Sequence, residues 1–138
     1  MSTEAVRAIL EGRLATWAAG RSTPLRVAYE NVPFTPAAGE TYLQAFLLPG
    51  PTLSQDLKGD HRGYVGVFQV TIVRPAGTGR GPALSIAAEL NTLFPVNGRY
   101  TSGSVTVQVI TPASAGPGIA EAERFAIPVS FQYRADTI

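Results

Sequence analysis

A short glycine-rich loop holds the residues best placed to do chemistry in this chain. Residues Gly77–Gly81 read Gly-Thr-Gly-Arg-Gly between a predicted strand and a predicted helix, where backbone N–H groups can bind phosphate. The dinucleotide fingerprint needs a third glycine where this chain has Pro82, and a P-loop needs a lysine after its last glycine. No acidic residue follows about 20 positions later to bind a ribose. A plain connection is the favoured interpretation, and an anion or nucleotide site is the alternative.

The only histidine, His61, lies in a polar segment between Asp60 and Arg62. A metal site there would need carboxylates, and Asp56 and Asp60 are the only close pair. The chain has no cysteine, which excludes disulfides, thiolate metal sites and a cysteine nucleophile. It also lacks the Gly-x-Ser-x-Gly turn of serine hydrolases, although a serine triad could still assemble from distant residues. We therefore predict no cofactor, no metal and no enzymatic activity.

The composition predicts a single domain over residues 1–138. Hydrophobic residues make up 45% of the chain and charged residues 15%, so a sizeable core is available and the surface is lightly charged. The net charge is +1 and the arginines are spread along the chain, which predicts no specific binding of nucleic acid. No run of about 18 apolar residues is present, and charges interrupt the region where a signal peptide would be apolar. We expect a soluble protein, without membrane contact, that stays in the compartment where it is made.

Hydrophobic periodicity predicts two helices and five strands. Val6, Leu10, Leu14 and Trp17 recur at helical spacing, and Pro82 suits the first position of a second helix. The predicted elements are helix 3–19, strands 25–30, 42–48 and 64–74, helix 82–94, and strands 104–110 and 125–133. Runs of strands, rather than strict alternation with helices, predict an α+β fold. We expect a mostly antiparallel, twisted sheet of about five strands with two main helices packed on it.

Two of the strands have features that predict their surroundings. The strand from Tyr42 to Leu48 is apolar on both faces apart from Gln44, so we expect both faces to be covered. The last strand contains Pro128, which has no N–H to donate to a neighbour. This predicts an edge strand or a bulge.

The sequence Val-Ala-Tyr-Glu-Asn-Val-Pro-Phe-Thr-Pro, at positions 27–36, cannot continue as a central strand. Its two prolines each remove a backbone donor and hold the preceding residue extended. The segment nevertheless carries Tyr29, Val32 and Phe34, which are costly to leave in water. An extended segment of this kind can be buried against a helix or a sheet without pairing its backbone.

This segment resembles the start of the tail terminator proteins of long-tailed phages and prophages. The resemblance covers residues 15–95, and its most specific part is Asn-Val-Pro-Phe-Thr-Pro. The other residues that carry it are Trp17, Pro24, Gly39, Glu40, Tyr42, Leu43, Arg62, Gly63, Phe68, Gln69, Val70, Pro75, Gly77, Gly79 and the helix Ala83–Phe94. It implies a small α+β domain that forms a ring, as a hexamer, on the head-proximal end of the tail tube. There it would stop tube polymerisation and provide the surface that joins the head.

The resemblance also implies a location and partners. The location is the virion tail, and the host cytoplasm during assembly. The partners are further copies of this chain, the major tail-tube protein and a head-completion or connector protein. A neck, tail-completion or tail-tube protein of the same virion is the alternative structural role.

Two groups of residues are candidates for the functional site. The family-like segment either packs within its own fold, with Phe34 in the core, or lies at a subunit boundary; its residues are Tyr29, Glu30, Asn31, Pro33 and Phe34. The long polar segment from Pro49 to Gly63 is the candidate docking loop. Its residues are Asp56, Lys58, Asp60, His61 and Arg62.

The docking-loop hypothesis predicts a change in protease sensitivity, because Lys58 is the only lysine in the chain. A lysine-specific protease should cleave the free protein once, after Lys58, since long polar loops are typical cleavage sites. Tail-bound protein should stay intact, because docking would order and cover the loop. Electrophoresis of the two digests measures the difference. Equal cleavage rates in both states would remove the loop from the docking mechanism.

Overall fold

A computed structural model describes residues 3–51, 62–77, 79–121 and 123–137. These residues form two α-helices and eight β-strands, which confirms the predicted α+β class. The elements are α1 (Thr3–Gly20), β1 (Arg26–Tyr29), β2 (Tyr42–Pro49), β3 (Arg62–Pro75), α2 (Gly81–Leu93), β4 (Arg99–Ser102), β5 (Val105–Val109), β6 (Ser114–Ala115), β7 (Ile119–Ala120) and β8 (Arg124–Thr137). The five predicted strands correspond to β1, β2, β3, β5 and β8, and the short strands β4, β6 and β7 are additional.

The strands form one curled sheet in the order β1-β2-β3-β8-β5-β4, and β6 and β7 also pair with β8. β1 pairs with β2 in parallel, and the other pairs are antiparallel. The longest pairing joins the two 14-residue strands, β3 and β8. Helix α1 contacts strands near both ends of the sheet, β1 and β2 as well as β4 and β5, whereas α2 contacts β3, β6 and β8.

Both helices pack on one face of the sheet, which we call the inner face. A single core cluster contains the buried stripe of each helix together with alternate residues of the strands. Val6 and Leu10 of α1 are fully buried in it. Phe94 follows α2 and contacts Phe68 of β3 and Phe131 of β8, with ring centroids 5.9 and 5.0 Å away. The end of α2 is thereby fixed on the two longest strands by aromatic packing.

Pro128 lies in the interior strand β8, so the edge-strand interpretation is wrong. It pairs with Thr71 in a register that continues unbroken from Arg62 to Pro75, which also excludes a bulge against β3. The Pro128 carbonyl accepts a hydrogen bond from the Gly116 N–H at 2.7 Å. In an extended residue the backbone N and O atoms point to the same side of the strand. The Pro128 nitrogen, which has no N–H, therefore faces the residues between β6 and β7, on the side away from β3. No hydrogen bond to β3 is lost.

Gly66 of β3 provides a test of this register, because it lies opposite Pro49. A Cβ atom added there would lie 2.5 Å from the Leu48 carbonyl oxygen and 2.9 Å from the Pro49 Cα atom. Both contacts are with backbone, so Gly66→Ala should lower the free energy of unfolding by about 1–3 kcal/mol. Denaturant unfolding measures the change.

Gly12→Ala is the matched control for this substitution. Nothing lies within 4 Å of a Cβ atom added at Gly12, which is in the interior of α1. Alanine should therefore stabilise the helix by up to about 1 kcal/mol. If Gly66→Ala left the stability unchanged, the close approach of β2 to β3 at this position would be incorrect.

Candidate assembly surfaces

The family-like segment connects two parallel strands without a helix. β1 ends at Tyr29 and β2 begins at Tyr42, so residues 30–41 form the whole connection. Asn31 has a φ of 56°, and the Val32 N–H donates to the Tyr29 carbonyl at 3.3 Å. Asparagine tolerates this left-handed conformation at the third position of a tight turn. Asn31 therefore turns the chain away from β1, which is a structural role.

Glu30 provides a hydrogen-bond acceptor for β2 beyond the end of β1. The pairing of β1 with β2 ends two residues before Leu47. The Leu47 N–H donates instead to Glu30 Oε1 at 2.7 Å, so a carboxylate replaces the missing strand partner. The charge of Glu30 also acts on Glu11 of α1. Burial raises the pKa of the Glu11 carboxyl against the lowering effect of Arg7, and the charge of Glu30 raises it further.

Arg26 holds the far end of the same connection against β1. Its guanidinium donates two hydrogen bonds to the Glu40 carboxylate, at 2.7 and 2.8 Å, and a third to the Thr35 carbonyl at 2.9 Å. The guanidinium carbon lies 4.4 Å from the centroid of the Phe34 ring. Glu40 also accepts the Ala37 N–H at 2.8 Å. These contacts form the Arg26 clamp, in which a bidentate ion pair fixes the geometry of the connection.

The Arg26 clamp gives the connection a defined dependence on pH. Hydrogen bonds from Arg26 and from the Ala37 N–H lower the pKa of Glu40 from its ordinary value of 4.5 to about 2. The folded chain therefore keeps this carboxylate ionised under acidic conditions that protonate it in the unfolded chain. The stabilisation is fully present above pH 4.5 and is lost as the pH falls through about 2.

Phe34 lies on the face of the sheet opposite the helices, which we call the outer face. It is half-buried, with its ring centroid 5.0 Å from that of Tyr42, and it is not part of the core cluster. The prediction that Phe34 lies in the core is therefore wrong. The Tyr42 hydroxyl accepts a hydrogen bond from Arg124 at 3.0 Å. Tyr42 and Val73 are each only 4% exposed, so this end of the outer face is covered.

Among the described residues, no segment covers the other end of the outer face. Leu48 lies opposite Val67, Val67 lies opposite Gln132, and the Ile110 N–H donates to the Gln132 carbonyl at 2.8 Å. Leu48 is 50% exposed and Ile110 is 39% exposed. The outer-face patch, as we name it, consists of Phe46, Leu48, Val65, Val67 and Ile110. The expectation that both faces of β2 are covered is thus confirmed at one end of the strand and wrong at the other.

The glycine loop joins β3 to α2 beside the hairpin formed by β7 and β8. Gly77 and Gly79 have φ angles of 81° and 76°, a turn conformation that glycine adopts without strain. Thr78 lies outside the described residues. Arg80 precedes α2 but makes no side-chain capping hydrogen bond. The adjacent cavity is about 240 Å³ and is lined by Glu121 as well as by arginines. Ligand pockets usually measure about 300–1,000 Å³, so this cavity is small, and the Glu121 carboxylate would repel a bound anion. The geometry therefore favours a plain connection over an anion or nucleotide site.

Most of the candidate docking loop lies outside the described residues, namely Asp56, Lys58, Asp60 and His61. Arg62 begins β3, with its backbone opposite Thr137. The described ends of the loop border the outer-face patch, since the Gly50 N–H donates to the Val65 carbonyl at 2.7 Å. In the part of the chain that the structure describes, no group of three or more His, Cys, Asp or Glu residues could hold a metal ion. No helix described there has the length and apolarity needed to span a membrane.

Sequence reasoning did not assign a role to Arg26, Arg124 or Ile110, although all three shape these surfaces. Glu40 was part of the family resemblance, and a carboxylate in a proline-rich connection is a signal that a cation lies nearby. Ile110 follows three alternating valines and therefore falls on the opposite face of the sheet. An apolar residue at such a position is the signal that could have identified the outer-face patch.

Comparison with known proteins places these features in a family. A family model described as phage tail terminator protein matches residues 5–133. A solved structure without a descriptive name is 44% identical in sequence, with a TM-score of 0.83. The match covers 98% of this chain and 96% of that chain. No curated protein matches the sequence. The resemblance carried by the proline segment is confirmed by the family match.

The position of Phe34 leads to a prediction about stability. Phe34→Ala should lower the free energy of unfolding by about 1–2 kcal/mol, because it removes a half-buried ring. Phe94→Ala is the control, since it removes a core ring that is 1% exposed, and it should cost about 3–5 kcal/mol. Denaturant unfolding followed by circular dichroism measures both losses. If both substitutions lowered the free energy of unfolding equally, Phe34 would have to lie in the core. If Phe34→Ala left it unchanged, the packing of Phe34 on Tyr42 would be contradicted.

Proposed function

This chain belongs to the phage tail terminator family, and on that premise we propose that it caps the tail tube of a long-tailed phage. The family match carries the proposal, because residues 5–133 include nearly all of both helices and of the sheet. The family is a class of structural tail proteins. In the finer role that we propose, copies of the chain form a hexameric ring at the head-proximal end. The ring stops tube polymerisation and provides the surface that the head-completion or connector protein joins.

We assign the contact with the tail tube to the outer-face patch. The patch is apolar, lies on the sheet face away from the helices, and is bordered by both ends of the candidate docking loop. Exposed apolar areas of this kind on a folded subunit mark interaction sites. Leu48 and Ile110, its most exposed members, would be withdrawn from water at the tube end.

A ring offers a physical route to selective binding of a finished tube. It presents several copies of the same surface, so a weak contact per subunit is sufficient when all copies bind together. A single tube subunit would engage one copy only and would dissociate readily. A completed tube end would engage the whole ring.

The other sequence-based candidates have less support. Neck, tail-completion and tail-tube proteins would also be structural components of the virion, but the family model is that of the terminator. The nucleotide-binding alternative depends on the glycine loop, where the neighbouring cavity is small and lined by Glu121. We therefore propose the cap alone.

The proposal predicts arrest of tube growth. The major tail-tube protein of the same phage should stop elongating in vitro when this protein is added, because its free end becomes covered. Electron microscopy should show shorter tubes with ring density at one end. The double substitution Leu48→Asp and Ile110→Asp should raise the protein concentration needed by about tenfold, equivalent to about 1.4 kcal/mol of binding energy.

Leu84→Asp is the matched control for the patch. Leu84 is 42% exposed, but it lies on α2, which packs against the inner face. This variant should cap tubes like the parent, and melting temperatures check that the variants are folded. If tubes continued to grow at saturating concentrations of this protein, the cap would be contradicted. If electron microscopy showed its density along the tube wall, the tail-tube alternative would be favoured.

A further inference from the structure

The hairpin between β7 and β8 presents an exposed apolar side chain and two carboxylates. Ile119 in β7 is 56% exposed. Glu121 and Glu123 follow it and are exposed. Neither has a salt-bridge partner among the residues that the structure describes. We call Ile119, Glu121 and Glu123 the acidic hairpin.

Two arginines near the base of the acidic hairpin have other contacts. Arg80 lies over a phenylalanine ring at 5.9 Å, and Arg124 donates to the tyrosine hydroxyl of the outer face at 3.0 Å. Both line the same small cavity as Glu121, so they offset part of its charge. Glu123 does not line that cavity. The hairpin therefore presents negative charge beside an apolar side chain.

A groove of opposite charge runs between α1 and β4. It measures about 600 Å³, and none of the described residues that line it is a carboxylate. The guanidinium of Arg13 lies 4.2 Å from the centroid of the Tyr100 ring. Arg99 is exposed and makes no salt bridge with any residue in the described ranges. The basic groove, as we name it, is lined by Ala8, Ile9, Gly12, Arg13, Arg99 and Tyr100.

The basic groove has room for an incoming extended chain. In the described part of the chain, β4 is the last strand of the sheet and pairs only with β5, so one of its edges has no partner there. An unpaired edge offers backbone N–H and C=O groups to a strand from another molecule. On the other side of the groove, nothing lies within 4 Å of a Cβ atom added at Gly12. A partner can therefore approach the backbone of α1 closely.

The acidic hairpin and the basic groove lie at opposite ends of β8. β7 pairs with Phe125 and Ala126, whereas β5, which carries β4, pairs with residues 133–136. At a rise of about 3.3 Å per residue, these positions are separated by about 30 Å along the strand. One copy cannot bring its own two surfaces together, and it can present them to two different neighbours.

We propose that the acidic hairpin of one copy docks in the basic groove of the next copy. Ile119 packs against Ile9 in the groove, and the two carboxylates of the hairpin meet Arg13 and Arg99. Two different surfaces take part, so the contact is heterologous and generates a ring when its rotation closes. This inference rests on the proposed ring and names the contact that builds it.

Cross-linking tests the contact specifically, because the chain has no cysteine of its own. Two single-cysteine variants, Ala8→Cys in the groove and Ala120→Cys in the hairpin, are mixed and treated with a short bismaleimide. The mixture should give a cross-linked dimer at a yield about tenfold above that of either variant alone, because docking raises the local concentration. Ala8→Cys mixed with Leu84→Cys is the control and should stay at background.

Charge reversal tests the ionic part of the contact. Arg99→Glu on the Ala8→Cys chain should reduce the yield by about tenfold, because like charges then face each other. Of the two single reversals on the Ala120→Cys chain, Glu121→Arg and Glu123→Arg, the one at the carboxylate that meets position 99 should restore it. A yield no higher than the control, or a reversal that is not restored, would overturn the contact.

Failure of this contact and failure of the proposed cap are separate outcomes. Tube growth that is arrested without any hairpin-to-groove cross-link would overturn the contact and retain the cap. Cross-linked oligomers that leave tube growth unchanged would retain the contact and overturn the cap.

Discussion

A sheet has two faces, and the two helices that the structure describes cover only one of them. β3 and β8 pair over the full length of two 14-residue strands, so the face left without helices is long. The proline connection covers one end of it, where Phe34 lies on Tyr42. An extended, proline-stiffened chain suits this position because it can lie on a sheet without pairing, and the Arg26 clamp fixes it there. At the remaining end the described residues leave the outer-face patch uncovered, beside Gln132 and Arg134, and the proposed function assigns the patch to the tail tube.

The edges of the same sheet are short and charged. β1 and β4 have four residues each, β6 and β7 have two each, and arginines begin both β1 and β4. Short, charged edges oppose nonspecific strand pairing between molecules. In the proposed ring, association depends on surfaces whose chemistry is specific, namely the acidic hairpin and the basic groove.

The long elements could be predicted from sequence because their patterns extend over many residues, as the stripe of α1 and the alternation of β8 show. Pro128 was misinterpreted because a sequence shows that a donor is missing but not the direction in which it would point. The sequence shows that Phe34 is apolar but not which face of the sheet it covers. That face depends on the parallel pairing of β1 with β2, which no sequence pattern indicates. The family was recognised from residues spread over positions 15–95, most specifically from Asn-Val-Pro-Phe-Thr-Pro. The turn made by Asn31 and the acceptor supplied by Glu30 required the geometry. The charged residues of the docking loop remain candidates from sequence alone.

The two proposed contacts are each small, and this has a consequence for the order of assembly. One hairpin in one groove contributes a single isoleucine and a few ion pairs, which must offset the loss of rotational and translational freedom. Free subunits would therefore associate weakly: a cross-linker captures pairs of them in solution, but the pairs would not extend into filaments, which is the hazard of any heterologous contact whose rotation fails to close. A tube end holds neighbouring subunits side by side and raises their effective concentration for one another. In the proposed assembly, the same weak contact would then close a ring at the tube end, and the ring would in turn strengthen the binding of each outer-face patch to the tube.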